Sequence, residues 1–139
     1  MTRKRLKTDD ARVFNIAADG RHMPVKDNSF DYITTLAAFG NIPETGKVVR
    51  EMYRVLKPNG ELLIHGTYVD KDSKSHKLAE NLGVDTGMVE EYLLCELEQA
   101  GFRGIKSTIA AKAVWAENPY DMLPIAGDMQ YFYILQARK

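Results

Sequence analysis

At 139 residues, 45% of them hydrophobic, the chain is long enough for one domain with its own core and too apolar for a disordered tail. Lysine plus arginine and aspartate plus glutamate number 19 each, so no net charge draws the protein to nucleic acid or to an acidic membrane surface, and no apolar run approaches the roughly 20 residues that span a bilayer. The single cysteine, Cys95, excludes a disulfide framework and a thiolate metal cage and points to a reducing, cytoplasmic setting.

Four cations crowd into Met1–Lys7 without interleaved aromatic residues, so this end reads as a solvated helix terminus, and no secretory leader is expected. Residues 12–17, Arg-Val-Phe-Asn-Ile-Ala, read as a buried strand ending at Asp19-Gly20, followed by turn chemistry over Met23–Ser29. Phe30–Leu36 is nearly continuous in apolar and β-favouring residues, as expected of a parallel strand. Val48, Val49, Met52, Val55 and Leu56 recur at helical spacing over Glu44–Leu56, with Arg50, Glu51 and Arg54 expected on a solvated face. Pro58-Asn59-Gly60 stops that helix and Glu61–Gly66 reads as the next strand.

Lys74–Leu82 reads as a short helix closed by Gly83, with His76 at the surface. Thr86–Ala100 reads as a stronger helix, with Val89, Leu93, Leu97 and Ala100 on one stripe, Cys95 buried, and Gly101 closing it. Phe102–Ala113 and Tyr131–Ala137 are the last strands, joined only by a loop and therefore antiparallel. Trp115, Tyr120, Met122 and Leu123 in that loop either line an apolar pocket or cover the core. The order implies one open α/β domain over residues 1–139.

Two segments are more specific. Ala18-Asp19-Gly20-Arg21-His22-Met23-Pro24-Val25-Lys26-Asp27-Asn28-Ser29-Phe30-Asp31 is similar to D-x-x-x-L-P-F-x-D-x-S-F-D, and Arg50-Glu51-Met52-Tyr53-Arg54-Val55-Leu56-Lys57-Pro58-Asn59-Gly60-Glu61-Leu62 to R-E-x-x-R-V-L-K-P-G-G-x-L. With Gly101-Phe102 after a helix, these are the marks of class I S-adenosylmethionine-dependent methyltransferases of the UbiE type, which the chain resembles from about residue 10 onward. The resemblance implies a partial Rossmann-like sheet, mostly parallel with an antiparallel C-terminal strand and helices on both faces. It also implies S-adenosylmethionine as cofactor and methyl transfer to a small molecule.

Carried over residue by residue, Asp19 and Gly20 lie where the family grips the adenine, and Leu36 to Phe39 lie where it lines the cofactor and the transfer site. Asp19 also suits a simple turn cap. Gly40-Asn41 stands where many relatives have His-His, which removes an acid/base group. His65, at a strand end beside Tyr68, is the candidate catalytic base, and His22 is a further candidate cofactor contact. The three histidines have no metal-ligand spacing, so no metal is expected.

The family's glycine-rich cofactor turn and the two strands around it have no counterpart in this sequence, which has no G-x-G-x-G. In the family's sheet those strands lie between the strand at 12–17 and that at 30–36. Three arrangements answer the gap: direct pairing of these two in a five-stranded sheet, exchange of edges in a homodimer, or a complementing chain. Without the cofactor the same chain would act as a dimerisation or partner-binding module.

Overall fold

The computed structural model describes residues 13–139. In chain order the elements are β1 (Phe30–Leu36), α1 (Thr45–Val55), β2 (Leu56–Tyr68), α2 (Lys74–Leu82), α3 (Glu90–Ala100), β3 (Arg103–Val114) and β4 (Met129–Arg138), with single 3-10 turns at Phe39–Asn41 and Asp85–Gly87. The sheet has four strands in the order β1-β2-β4-β3. β1 and β2 are parallel, whereas β2–β4 and β4–β3 are antiparallel: the C-terminal strand is antiparallel as expected, but the described sheet is mixed rather than mostly parallel.

Burial alternates along β2: Leu62, Ile64, Gly66 and Tyr68 are buried, while Glu61 and His65 are exposed. The register sets these residues opposite Ala137, Leu135, Tyr133 and Tyr131 of β4, which continues the same apolar face. Val48, Val49 and Met52 of α1 and Leu93 and Leu97 of α3 pack onto that face and complete the core. Leu62, Ile64, Leu93, Leu97 and Leu135 are each at most 1% exposed, and each contributes roughly 1.5–3 kcal/mol by leaving water. The opposite face, with Tyr32, Leu36, His65 and Ile134, is solvent-exposed among the described residues.

Several expectations are corrected. Residues 13–19 form no strand, and Arg12 lies outside the described residues. Val13, Phe14 and Ile16 are exposed, and the five-stranded closure does not form, because β1 pairs with β2 alone among the described residues. β2 is longer than expected because Leu56 already pairs with Phe30. The helix expected from Thr86 begins at Glu90, after the 3-10 turn.

Cys95 is exposed rather than buried. Two residues past Leu93, it is carried about 200° around the helix, away from the buried stripe. His76 is 6% exposed rather than at the surface. Ser73 caps α2 by accepting from the His76 amide at 3.0 Å, and the ring is turned inward with Nδ1 against the Lys71 carbonyl. Asn59 has left-handed backbone (φ 63°) as expected, but Gly60 is required for a different reason: a Cβ there would lie 2.8 Å from the Lys57 carbonyl oxygen.

Candidate functional site

The C-terminal ends of β1 and β2 meet at a built tip. The Ala37 amide donates to the His65 carbonyl at 2.7 Å, which ties the turn after β1 to the neighbouring strand. Ala37 (φ 51°) and Glu44 (φ 55°) both hold left-handed backbone, an uncommon conformation for residues with a Cβ, and they bracket the loop between β1 and α1. Phe39 plugs this loop into the core at 2% exposure, and Gly87 lets its backbone approach the second 3-10 turn. Beside the plug is a cavity of about 60 Å³, walled by Ala37, Phe39, Asn41, Gly66, Met88 and Tyr133 among others.

A second segment reaches the same end of the sheet. α1 runs back from the tip, since its last residue is followed by Leu56, the partner of Phe30 at the start of β1. Residues 19–29 lie along this helix. Gly20 sits against Val48, and Arg21 bonds Glu44 at 2.8 Å at the helix start. Asn28 and Ser29 donate to Arg54 and Val55 at its end. Asp19 and Leu36 therefore lie at one end of the sheet. The Arg21 guanidinium donates to both Asp19 oxygens, at 2.8–3.0 Å, and the Arg21 amide adds a further bond at 2.9 Å. These contacts hold the Asp19 carboxyl down at about 2, so it is ionised at neutral pH.

Arg54 and Glu51 do not form the solvated face expected of them. Arg54 donates to both Glu51 oxygens, to Asp27, and to the Val25 and Met23 carbonyls, while the Met23 amide donates to Glu51 at 2.7 Å. The R-E-x-x-R spacing thus puts both side chains one turn apart, where they clamp the 23–27 segment onto α1. The Arg54 contact, aided by the Met23 amide, lowers Glu51 to about 2.

The residues singled out from sequence fall into separate groups. Leu36 (72% exposed) and His65 are cross-strand partners on the open face, and Tyr68, expected beside His65, is buried on the other face. His22 is exposed near Asp19. Phe39 is in the core, and only as part of the cavity wall does it touch open space. Of the loop cluster, Leu123 lines the cavity, while Tyr120 and Met122 are exposed.

Sequence reasoning passed over Tyr133 and Gly66. A lone glycine within a strand marks close approach of a neighbour, and that neighbour is Tyr133. The stacked Tyr68–Tyr133 pair has centroids 3.7 Å apart. Burial pushes Tyr68 up to about 12 and Tyr133 higher still, so both phenols stay protonated at neutral pH.

Whether these residues suit an adenosyl cofactor is a question of size. The tip cavity of about 60 Å³ is far below the roughly 300 Å³ at which drug-sized ligand pockets begin. A larger concavity of about 730 Å³, lined by Tyr32, Glu61, Leu63, Arg103 and Gln136, lies toward the opposite end, where β2 begins. The tip cavity by itself is thus too small for a nucleoside. No cluster of three potential metal ligands and no helix long and apolar enough to cross a membrane occurs among the described residues.

An open α/β sheet whose loops converge on one strand edge is the kind of fold found in solved S-adenosylmethionine-dependent methyltransferases, which this sheet resembles. Residues 1–64 match the family described as a methyltransferase domain. Over 90 residues the chain is 34% identical to a sterol 4-C-methyltransferase of Caenorhabditis elegans, covering 61% of this chain and 27% of that protein. Over 61 residues it is 43% identical to the demethylmenaquinone methyltransferase of Listeria welshimeri, covering 42% and 26%.

The fold is similar to that of phosphoethanolamine N-methyltransferase 2 from Haemonchus contortus in complex with S-adenosyl-L-methionine. The TM-score is 0.69 at 22% identity, over 94% of this chain and 38% of that one. It is similar also to an arsenic (III) S-adenosylmethionine methyltransferase from Chlamydomonas reinhardtii, with a TM-score of 0.66 at 20% identity over 99% and 47%. The aligned regions span about a quarter of the length of the two relatives matched by sequence.

Proposed function

We propose that the chain takes part in S-adenosylmethionine-dependent methyl transfer to a small molecule. The observation that supports this best is the convergence of Asp19-Gly20 and the Leu36–Phe39 tip on one end of the sheet, with a neutral cavity behind the tip. S-adenosylmethionine would supply the methyl group, and Asp19, Gly20 and Leu36 would form one wall for its adenosyl part. Catalysis of this kind rests on holding two reactants close and in line in a dry site, so few acid or base groups are required. His65 is a candidate base only for an acceptor that reaches over the open face.

Isothermal titration with S-adenosylmethionine is the test. Micromolar binding that weakens in Asp19→Ala supports the reading, and no detectable heat at millimolar cofactor overturns it.

A second reading is that a second copy or a complementing chain pairs along β1. It is supported by the exposure of Phe30, Tyr32 and Leu36 on a strand that pairs on one side only among the described residues. Light scattering of the purified chain separates these outcomes.

A further inference from the structure

The parallel pair β1–β2 is covered on one side only. α1 and α3 pack on the core face, and the opposite face is open among the described residues. Parallel strands occur mostly in sheets that helices cover on both faces, because each face has apolar side chains to bury. The register divides the open face into two halves. Over β1 and β2 it carries Tyr32, Leu36 and Leu63, and Tyr32 and Leu36 are 70% and 72% exposed. Over β4 and β3 it carries Arg103, Lys106 and Arg138: Arg103 is the register partner of Arg138, and Lys106 that of Gln136. All three cations are exposed.

The concavity of about 730 Å³ lies between these halves, with Tyr32 and Leu63 on one side and Arg103 and Arg138 on the other. Glu61 is the one carboxylate in its lining, and it already accepts from Arg138 at 2.7 Å. The face is therefore apolar along one half and has cations to spare along the other. Four strands and four residues along each make a patch of about 14 Å either way, which roughly three turns of helix would cover.

Charge decides between the possible occupants. Met1–Lys7 of this chain holds four cations, which the cationic half repels. A second copy laid face to face sets the cations either against each other or against the apolar half of its partner, depending on the direction of the twofold axis. Both are unfavourable. A helix with an apolar stripe and carboxylates along its flank suits both halves at once.

We propose that the open face docks an amphipathic helix of another protein, its apolar stripe on Tyr32, Leu36 and Leu63 and its acidic flank against Arg103, Lys106 and Arg138. The site is separate from pairing along β1, which uses backbone groups of the strand edge, and it does not rest on the methyltransferase reading. The helix would cover His65, the neighbour of Leu36, so docking and a role for His65 as a base exclude one another.

The test is a titration of the full chain with synthetic peptides of about 15 residues, long enough to hold a helix, followed through backbone amide NMR signals. One peptide has a leucine stripe flanked by glutamates. A second has lysine for every glutamate, and a third keeps the composition of the first but scrambles the stripe. The first is expected to shift the amides of Tyr32, Leu63 and Lys106 and to bind at least about fivefold more tightly than either control. Its affinity should fall at least about threefold in Lys106→Glu, and again on going from about 0.05 M to about 0.5 M salt. Without peptide, the same signals should hold still on dilution.

No binding, shifts that map elsewhere, equal binding of either control, or an affinity indifferent to both the variant and salt would each overturn the proposal. Concentration-dependent shifts of the same amides in the chain alone would assign the face to a second copy and overturn it equally.

Discussion

Gly66 and Tyr133 compete for one volume, so the smallest substitution at position 66 is informative. Gly66→Ala pushes a methyl group into a ring that is already stacked and buried. The expected cost is about 1–3 kcal/mol, measured as a lower urea midpoint with an unchanged slope. Glu51 offers a pH test. Its folded-state pKa, about 2, lies well below the ordinary glutamate value of 4.5. Its contribution is thus fully present above about pH 4.5 and is lost as pH falls toward 2. Denaturation midpoints at pH 5, 3.5 and 2.5 should fall further for the wild type than for Glu51→Gln. At pH 7 the variant should itself be weaker by about 1 kcal/mol, since one hydrogen-bonded carboxylate is replaced. Equal acid sensitivity of the two proteins would remove the assigned role. Asp19 is also ionised down to about pH 2, but it is exposed, and water screens its ion pair too well for a measurable share of stability.

At the scale of elements, α1 does two jobs. Its apolar stripe packs on the sheet, while Glu51 and Arg54 on its flank hold the segment that leads into β1. Arg54→Ala should therefore release residues 23–27 while leaving the sheet intact. Hydrogen exchange is the readout: the amides of Met23, Asn28 and Ser29 should lose protection, and those of Ile64 and Leu135 should keep it. This division was only half legible in the sequence. The apolar periodicity of Val48, Val49, Met52 and Val55 located the helix to within a residue at either end. The charged flank looked like any solvated face, because periodicity reports which side is apolar and says nothing of what a distant loop lays across the polar side. The same limit explains His76 and Tyr133. Tyr133 is stacked on Tyr68, far away in sequence, and His76 lies near Tyr92 of the next helix, and neither has a local pattern that announces its burial.

For the whole molecule, the open sheet face and the β1 edge are the features that matter most. If two copies pair along β1, Tyr32→Lys should shift the light-scattering mass to that of a monomer without changing the melting temperature by more than a few degrees, since Tyr32 is 70% exposed within the chain. An unchanged mass would turn attention to a complementing chain or to no partner at all.

From β1 onward, element order and the antiparallel C-terminal strand were determined by sequence alone, because both follow from near-neighbour rules: helical or alternating apolar spacing, glycine and proline at the ends, and a loop too plain for a parallel crossover. The two motif segments also located the acidic turn and the tip that the sheet brings to one end. What only tertiary structure decided was which groups face the same space. Residues 13–19 had a strand's composition, yet a strand exists only where a neighbour takes its hydrogen bonds, and among the described residues none does. His65 and Tyr68 are close in sequence but lie on opposite faces, whereas Gly66 and Tyr133, far apart along the chain, meet at the tip cavity through the register of β2 with β4.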